Sequence, residues 1–347
     1  VAGGVKAELD GDVQDASSVK VEAIGDNDAQ ATAFAIAIGG LGAGAGADAY
    51  AEVTSSADVE ALVGSSSQLT VPGAPVNVLA TGDNNATATA NGGAIGGLSI
   101  AAMLPTAKVG GGVKAEFDGQ MTGGSALLLN VKGLGENTAD ATVRVASIGM
   151  LGGGAGARST AQVTSAADVE ARVGVNADIS TSGAVLVDAR LQGLENKAFA
   201  QALGLAGGTF LGVSVMLAEA EVGGAVIADF DGDVSTASQV TVQANGANLA
   251  LAHTVAASLG GVLGGSLTGA AANVTDQADV EATVGSTSSI TTGGAVLVKA
   301  TGENDAVTDS DAGSAGGIVG IAGSSLQAIV AGGVKAELDG DVQDASS

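Results

Sequence analysis

The segment Val1–Ser18 reads VAGGVKAELDGDVQDASS, and it returns unchanged as Val330–Ser347. Diverged copies begin at Val109 (VGGGVKAEFDG) and Val222 (VGGAVIADFDG). Between them lies a related block: ADVEALVG at Ala57, ADVEARVG at Ala167 and ADVEATVG at Ala278. Aligned on their first strand valine, the blocks start at Val5, Val59, Val113, Val169, Val226, Val280 and Val334, in steps of 54, 54, 56, 57, 54 and 54 residues. A fixed period of this size marks a repeat architecture, in which no single unit can bury its apolar face alone. The half-units pair into three units, 1–108, 109–221 and 222–329, with the start of a fourth at 330–347. The pattern is already running at Val1, without a basic leader, which reads as a piece of a longer array.

Each half-unit has the same internal order. Val5-Lys6-Ala7-Glu8-Leu9 places Val, Ala and Leu on one face and Lys and Glu on the other, the period of a half-buried strand. Asp10-Gly11-Asp12 has turn composition, and Val19–Ala23, matched by Val296–Ala300, predicts a second strand. An Asn then recurs once per half-unit: Asn27, Asn84, Asn137, Asn196, Asn248 and Asn304. Its setting predicts a turn, and in stacked coils such side chains can form a ladder. Last comes a Gly/Ala segment such as Ala29–Val53, which reads as two extended strands joined at a Gly bend. Ala favours helix, but the Gly, Thr and Val in these windows favour strand.

Aromatic residues are 2% of the chain and the apolar residues are mostly Ala and Val, so any core must be thin. The expected fold is an all-β β-solenoid of parallel coils stacked at ~4.8 Å. If a coil takes about 18 to 27 residues, the chain holds roughly 13 to 19 coils and stands about 60 to 90 Å tall. A string of β-sandwich modules of ~110 residues is the competing architecture. It is the weaker one, because no bulky core residue such as Trp recurs.

With 37 acidic against 12 basic residues the net charge is −25, which excludes nucleic acid as a natural partner. There is no Cys, hence no disulfide framework and no thiolate metal site. Phe199–Ala218 is apolar enough to suggest a membrane span, but its counterpart Phe34–Val53 carries Asp48 and Glu52. No membrane span is expected.

The recurring order GG-V-x-A, then GGAVLVKATG-E/D-N, a Gly-rich Ala alternation and AxVTSxADVEAxVG resembles the repeats of giant secreted bacterial adhesins of the filamentous-haemagglutinin-like kind. The resemblance runs over essentially the whole chain as repeat grammar. It implies secretion, a β-helical shaft, and roles in adhesion, biofilm matrix or surface filaments.

Catalytic chemistry is hard to place. His253 is the single histidine, in ALAHTVAAS, and no G-x-S-x-G elbow accompanies it. The carboxylate pairs Asp10/Asp12 and Asp231/Asp233 recur with the repeat, whereas an enzyme needs one cleft, so they read as polar turns. Asp10, Asp12, Asp26, Asp28, Asp231 and Asp233 offer hard oxygen ligands and are candidate Ca²⁺ positions. Ala43–Tyr50 approaches a Ca²⁺-binding nonapeptide, but the matching place in a later unit holds Arg158, and a β-roll is rejected. Sequons stand at Asn85 and Asn273. The expected function is a structural segment of an extracellular filament or biofilm-matrix fibre, associating with itself end to end and laterally. The alternatives are the stalk of a cell-surface adhesin whose binding tip lies elsewhere and a β-helical enzyme acting on polysaccharide.

Overall fold

The computed structural model describes residues 1–73, 75–123, 128–193 and 195–346; Ser347, which closes the repeated segment, lies outside them. The described residues form parallel β-sheets and no helix. Val5 pairs with Val59, Val59 with Val113, Val113 with Val169, and so on to Val334, always in parallel. Each half-unit therefore closes one coil, and each coil hydrogen-bonds the next. The fold is a β-solenoid.

Three sheets run along the stack. The first is built from the five-residue strands Val5–Leu9, Val59–Val63, Val113–Phe117, Val169–Val173, Val226–Phe230, Val280–Val284 and Val334–Leu338. The second takes the short strands that follow each of these, from Asp12–Gln14 to Asp341–Gln343. The third holds long segments: Val19–Val53, Val76–Val109 and Leu129–Val163 in the first three coils, and shorter strands in the same register from Ala184–Leu191 onward. These sheets continue without a break past residues 108 and 221, where the paired units meet.

The long segment serves two cores. Its first residues, such as Val76, Val78 and Ala80, pack against the first and second sheets around Phe117, Phe230, Leu69, Met121, Ile179 and Ile290. Beyond the conserved-spacing Asn the chain runs outward, turns at the Gly-rich centre and returns, so that Asn196–Gly208 and Leu211–Val222 lie face to face. This out-and-back arm encloses a second core made mainly of Ala, with Met103 and Met216 as its bulkiest members. Both methionines lie against a missing side chain. A Cβ on Gly92 would sit 2.6 Å from Met103 Cε, and one on Gly204 would collide with Met216. Ala on both walls lets the two layers of the arm approach closely, which the small-residue composition requires.

The expected coil size is corrected by this topology. A coil is the whole half-unit of 54 to 57 residues, as the register Val5↔Val59 requires, and the chain makes six coils and begins a seventh. At ~4.8 Å per step the first six coils span about 29 Å, not the taller stack that a small coil would give. The reason is the arm: its out-and-back path consumes about half of every coil without advancing the stack.

One coil departs from the others. Gly25, Gly82, Gly135, Gly246 and Gly302 stand two residues before the Asn, and their absent Cβ makes room for the first-sheet valine. A Cβ on Gly82 would fall 2.5 Å from Val113 Cγ2. In the fourth coil Leu191 pairs with Gly135 at this place, and the strand breaks there before resuming at Asn196. The fourth coil has three more residues between this place and its Asn than the third coil has.

Candidate functional site

The buried polar feature common to every coil is the Asn rank. Asn27, Asn84, Asn137, Asn196, Asn248 and Asn304 lie inside the long segments or at the start of a strand, rather than in the turns their sequence setting suggests. Asn84 donates from Nδ2 to the Gly111 carbonyl (2.8 Å) and to Asn137 Oδ1 (2.9 Å). Asn137 repeats the pattern with Ala167 and Asn196, Asn196 with Gly224 and Asn248, and Asn248 with Ala278 and Asn304. The ladder stands where the arm leaves the body and ties it to the loop that precedes the next first-sheet strand. Both amide hydrogens are used, so the rank is a satisfied buried network and not an open donor set.

The acidic corners flank the first sheet, and their composition alternates. Before the strand the chain has Gly4, Asp58, Gly112, Asp168, Ala225, Asp279 and Gly333; after it, Asp10, Gly64, Asp118, Gly174, Asp231, Gly285 and Asp339. The two corners alternate in opposite phase. Each Asp before the strand accepts the backbone N–H of the small residue one coil on: Asp58 from Gly112 (2.8 Å), Asp168 from Ala225 (2.7 Å) and Asp279 from Gly333 (2.6 Å). Each Asp after the strand leans over a glycine of the next coil, so a Cβ on Gly64 would lie 1.9 Å from Asp10 Oδ1. Between the corners, outward residues alternate in sign over the first four coils as Lys6, Glu60, Lys114 and Glu170, and Ile227 takes the place in the fifth. A corner that alternates in this way repeats every second coil. Like charges directly opposite on paired strands repel, and alternation separates them by two strand spacings.

Burial affects several of these carboxyls. It pushes Asp168 up to about 6, with Glu170 adding to the rise and the Ala225 N–H opposing it. Asp231 is raised by burial and then by Asp229, against the pull of Arg172 at 3.7 Å. At the root of the arm Asp83 is raised by burial and by its neighbours Asp26 and Asp28, and Asp28 accepts from Asn85 at 3.2 Å.

The candidate Ca²⁺ positions fall in separate places. Asp10 and Asp12 bracket the corner between the first and second sheets, and Asp231 and Asp233 occupy the same corner four coils on. Asp26 and Asp28 lie on the outward face of the long sheet. Asp233 already accepts the Ser289 N–H at 3.0 Å. Among the described residues no three His, Asp or Glu side chains converge as a metal-holding group. The Ala43–Tyr50 segment runs on as strand within Val19–Val53.

His253 lies on the outward face of the arm with its Nδ1 3.2 Å from Asp309 Oδ2. Nearby is a recess of about 910 Å³ running across the coils, between Phe34 and Ile36 on one side and Leu203 and Leu205 on the other. Arg144 and His253 reach it, and its lining holds no carboxylate and no hydroxyl. It offers mainly apolar contact, with Asn91, Arg144, Gln201 and His253 as its polar lining. Phe199–Ala218 supplies parts of the two arm strands, and among the described residues no helix is long and apolar enough to cross a membrane.

The glycine–valine lock at the arm root escaped the sequence reading, although its signal was there: Gly stands two residues before Asn in five of the six half-units. No family model, curated protein or solved structure matches the chain.

Proposed function

We propose that the chain is a structural segment of an extracellular filament or biofilm-matrix fibre, supplying a shaft and no catalysis. One observation carries the reading. The repeated segment Val334–Leu338 joins Val280–Val284 in the register that Val59–Val63 takes on Val5–Leu9, so the seventh coil begins as a copy of the first. A stack whose next coil repeats its first can be continued by identical blocks to any length. The high acidic charge and the absence of Cys suit an exported, soluble surface. The recurring chemistry of the coils, ladder and corners alike, is spent on joining coil to coil.

The stalk of a cell-surface adhesin is the same shaft with a binding tip beyond it. Images of native assemblies decide between the two: fibres of indefinite length favour the filament, and single fibres with one distinct end favour the stalk. Diffraction from aligned fibres tests both, since stacked coils require an axial reflection near ~4.8 Å. Its absence would remove the shaft reading altogether. Ca²⁺ bound at the acidic corners is a further proposal, and it requires a lower melting temperature in chelator.

A further inference from the structure

The returning strand of the arm presents three consecutive outward ranks with no polar side chain in any of the six coils. The middle rank reads Gly44, Ile100, Gly154, Val213, Gly265 and Ile321 from the first coil to the sixth. The rank nearer the tip, Gly42 to Val319, and the rank nearer the root, Gly46 to Gly323, hold only Gly, Ala, Val and Leu. Ile100 is 68% exposed and Ile321 61%. In a chain of net charge −25 the outer faces of the arm stand apart; the outgoing strand carries two such ranks, Ile36 to Gly313 and Ile38 to Ala315, and the returning strand three. An apolar patch of such extent on a soluble protein marks an interaction surface.

We propose that the face binds a second copy of this chain, with the two shafts antiparallel about a two-fold axis lying along the strand direction. That axis sets each rank against itself and reverses the coil order, so the first coil meets the partner's sixth, the second its fifth and the third its fourth. In the middle rank Gly44 then faces Ile321, Ile100 faces Gly265 and Gly154 faces Val213. Every bulky side chain meets a glycine. In the outer ranks Gly152 faces Leu211, Gly156 faces Val215 and Ala102 faces Leu267, while Leu98 against Leu263 is the single pair of two large residues. The relief is self-complementary, which a two-fold interface demands of one surface. Dry, interdigitated contact between identical sheet faces is also the packing that small residues permit.

Area and charge point the same way. Three ranks across six coils cover about 600 Å² on each copy, so a dimer buries about 1,200 Å², the lower bound for a specific stable interface. Two acidic molecules can approach most closely through the faces that carry no charge. A lipid bilayer is the poorer fit, because no Lys or Arg borders these ranks in a position to meet headgroups except Arg158, which is paired with Glu219. The inference rests on the shaft reading for its use in bundling fibres. Failure of the dimer leaves the axial repeat of the shaft unaffected, so the two readings fail separately.

The test is sedimentation equilibrium of the whole chain, with vesicles of neutral phosphatidylcholine as a parallel arm. The expected result is a species of twice 32.6 kDa. In Gly154→Val the new Cβ lies no nearer than 3.9 Å to Ile100 Cγ1, so the coil has room for it. The filled slot should weaken the dimer about tenfold or more. The exchange Gly154→Val with Val213→Gly should restore it, because each change answers the other across the axis. Ile321→Asp, on an exposed position of the sixth coil, should give monomer with an unchanged circular dichroism spectrum. A wild-type chain that stays monomeric overturns the proposal, as does an exchange variant no tighter than the single one. Binding to vesicles without dimerisation overturns it in favour of a lipid surface.

Discussion

Nδ2 of Asn84 lies 2.9 Å from Oδ1 of Asn137, one coil further along the stack. Its second hydrogen goes to the carbonyl of Gly111, in the loop before the next first-sheet strand. One buried amide thus fixes both the stacking of coils and the angle at which the arm leaves the body. Asn137→Ala removes the donor to Ala167 and to Asn196 and leaves buried acceptors without partners. It should destabilise the protein by about 2–4 kcal/mol. Asn137→Asp should cost more, since a buried carboxylate would face two acceptors. Denaturant midpoints of the two variants check the order; equal midpoints would remove the ladder from the account.

The lock between Gly82 and Val113 makes a second prediction. Gly82→Ala sets its methyl 2.5 Å from Val113 Cγ2 and should cost about 1–3 kcal/mol. Val113→Ala alone leaves a small cavity and should also destabilise. The double variant should be more stable than the sum of the two losses allows. A double-mutant cycle measures this, and simple additivity would show that the glycine serves the backbone and not the valine.

Much of this was legible in the residues themselves. The period, the alternating strands and the Gly bend are local patterns that stand where the sequence puts them; the recurring Asn form the ladder but lie in strands and not in the turn their setting suggests. The coil size was not legible. Ala29–Val53 alternates in the same way whether it lines one wall of a small coil or both walls of an arm, and only the pairing of Val19 with Val76 decides it. The uncharged face was hidden for a related reason. The register shifts between Gly39 and Gly42, so the alignment of Gly44 with Ile100 and Gly154 appears only once the strands are paired.

The pH dependence follows from Asp168. Its carboxyl sits near 6 in the folded state, above its ordinary value of 3.8, so the folded chain binds the proton more tightly than the unfolded one. Stability is therefore gained as pH falls through 6, is fully present below about 4, and is lost again as pH rises. Asp83, Asp140 and Asp231 are raised by burial and act with the same sign. The melting temperature should be higher at pH 5 than at pH 8. Asp168→Asn keeps an acceptor for the Ala225 N–H without the charge, and should add about 1–2 kcal/mol at pH 8 and little at pH 4. A melting temperature that falls on acidification to pH 5 contradicts this assignment.

The alternating corners predict a salt-dependent penalty. Gly64→Ala requires only that the Asp10 carboxylate swing aside, and should stay close to wild type. Gly64→Asp places a second carboxylate one strand spacing from Asp10 and should be clearly less stable at low salt. The gap between the two variants should shrink in 1 M NaCl, where screening acts within about 3 Å. A gap that ignores salt would make the corner glycines a matter of space alone.

The out-and-back arm has a mechanical consequence. Each coil raises the stack by ~4.8 Å yet stores about 55 residues, which would extend to about 180 Å if drawn straight. A coil peeled from one end under tension releases nearly forty times its own height while its neighbours keep their register. If the chain serves as the proposed shaft, it would yield under load in discrete, countable steps of one coil each.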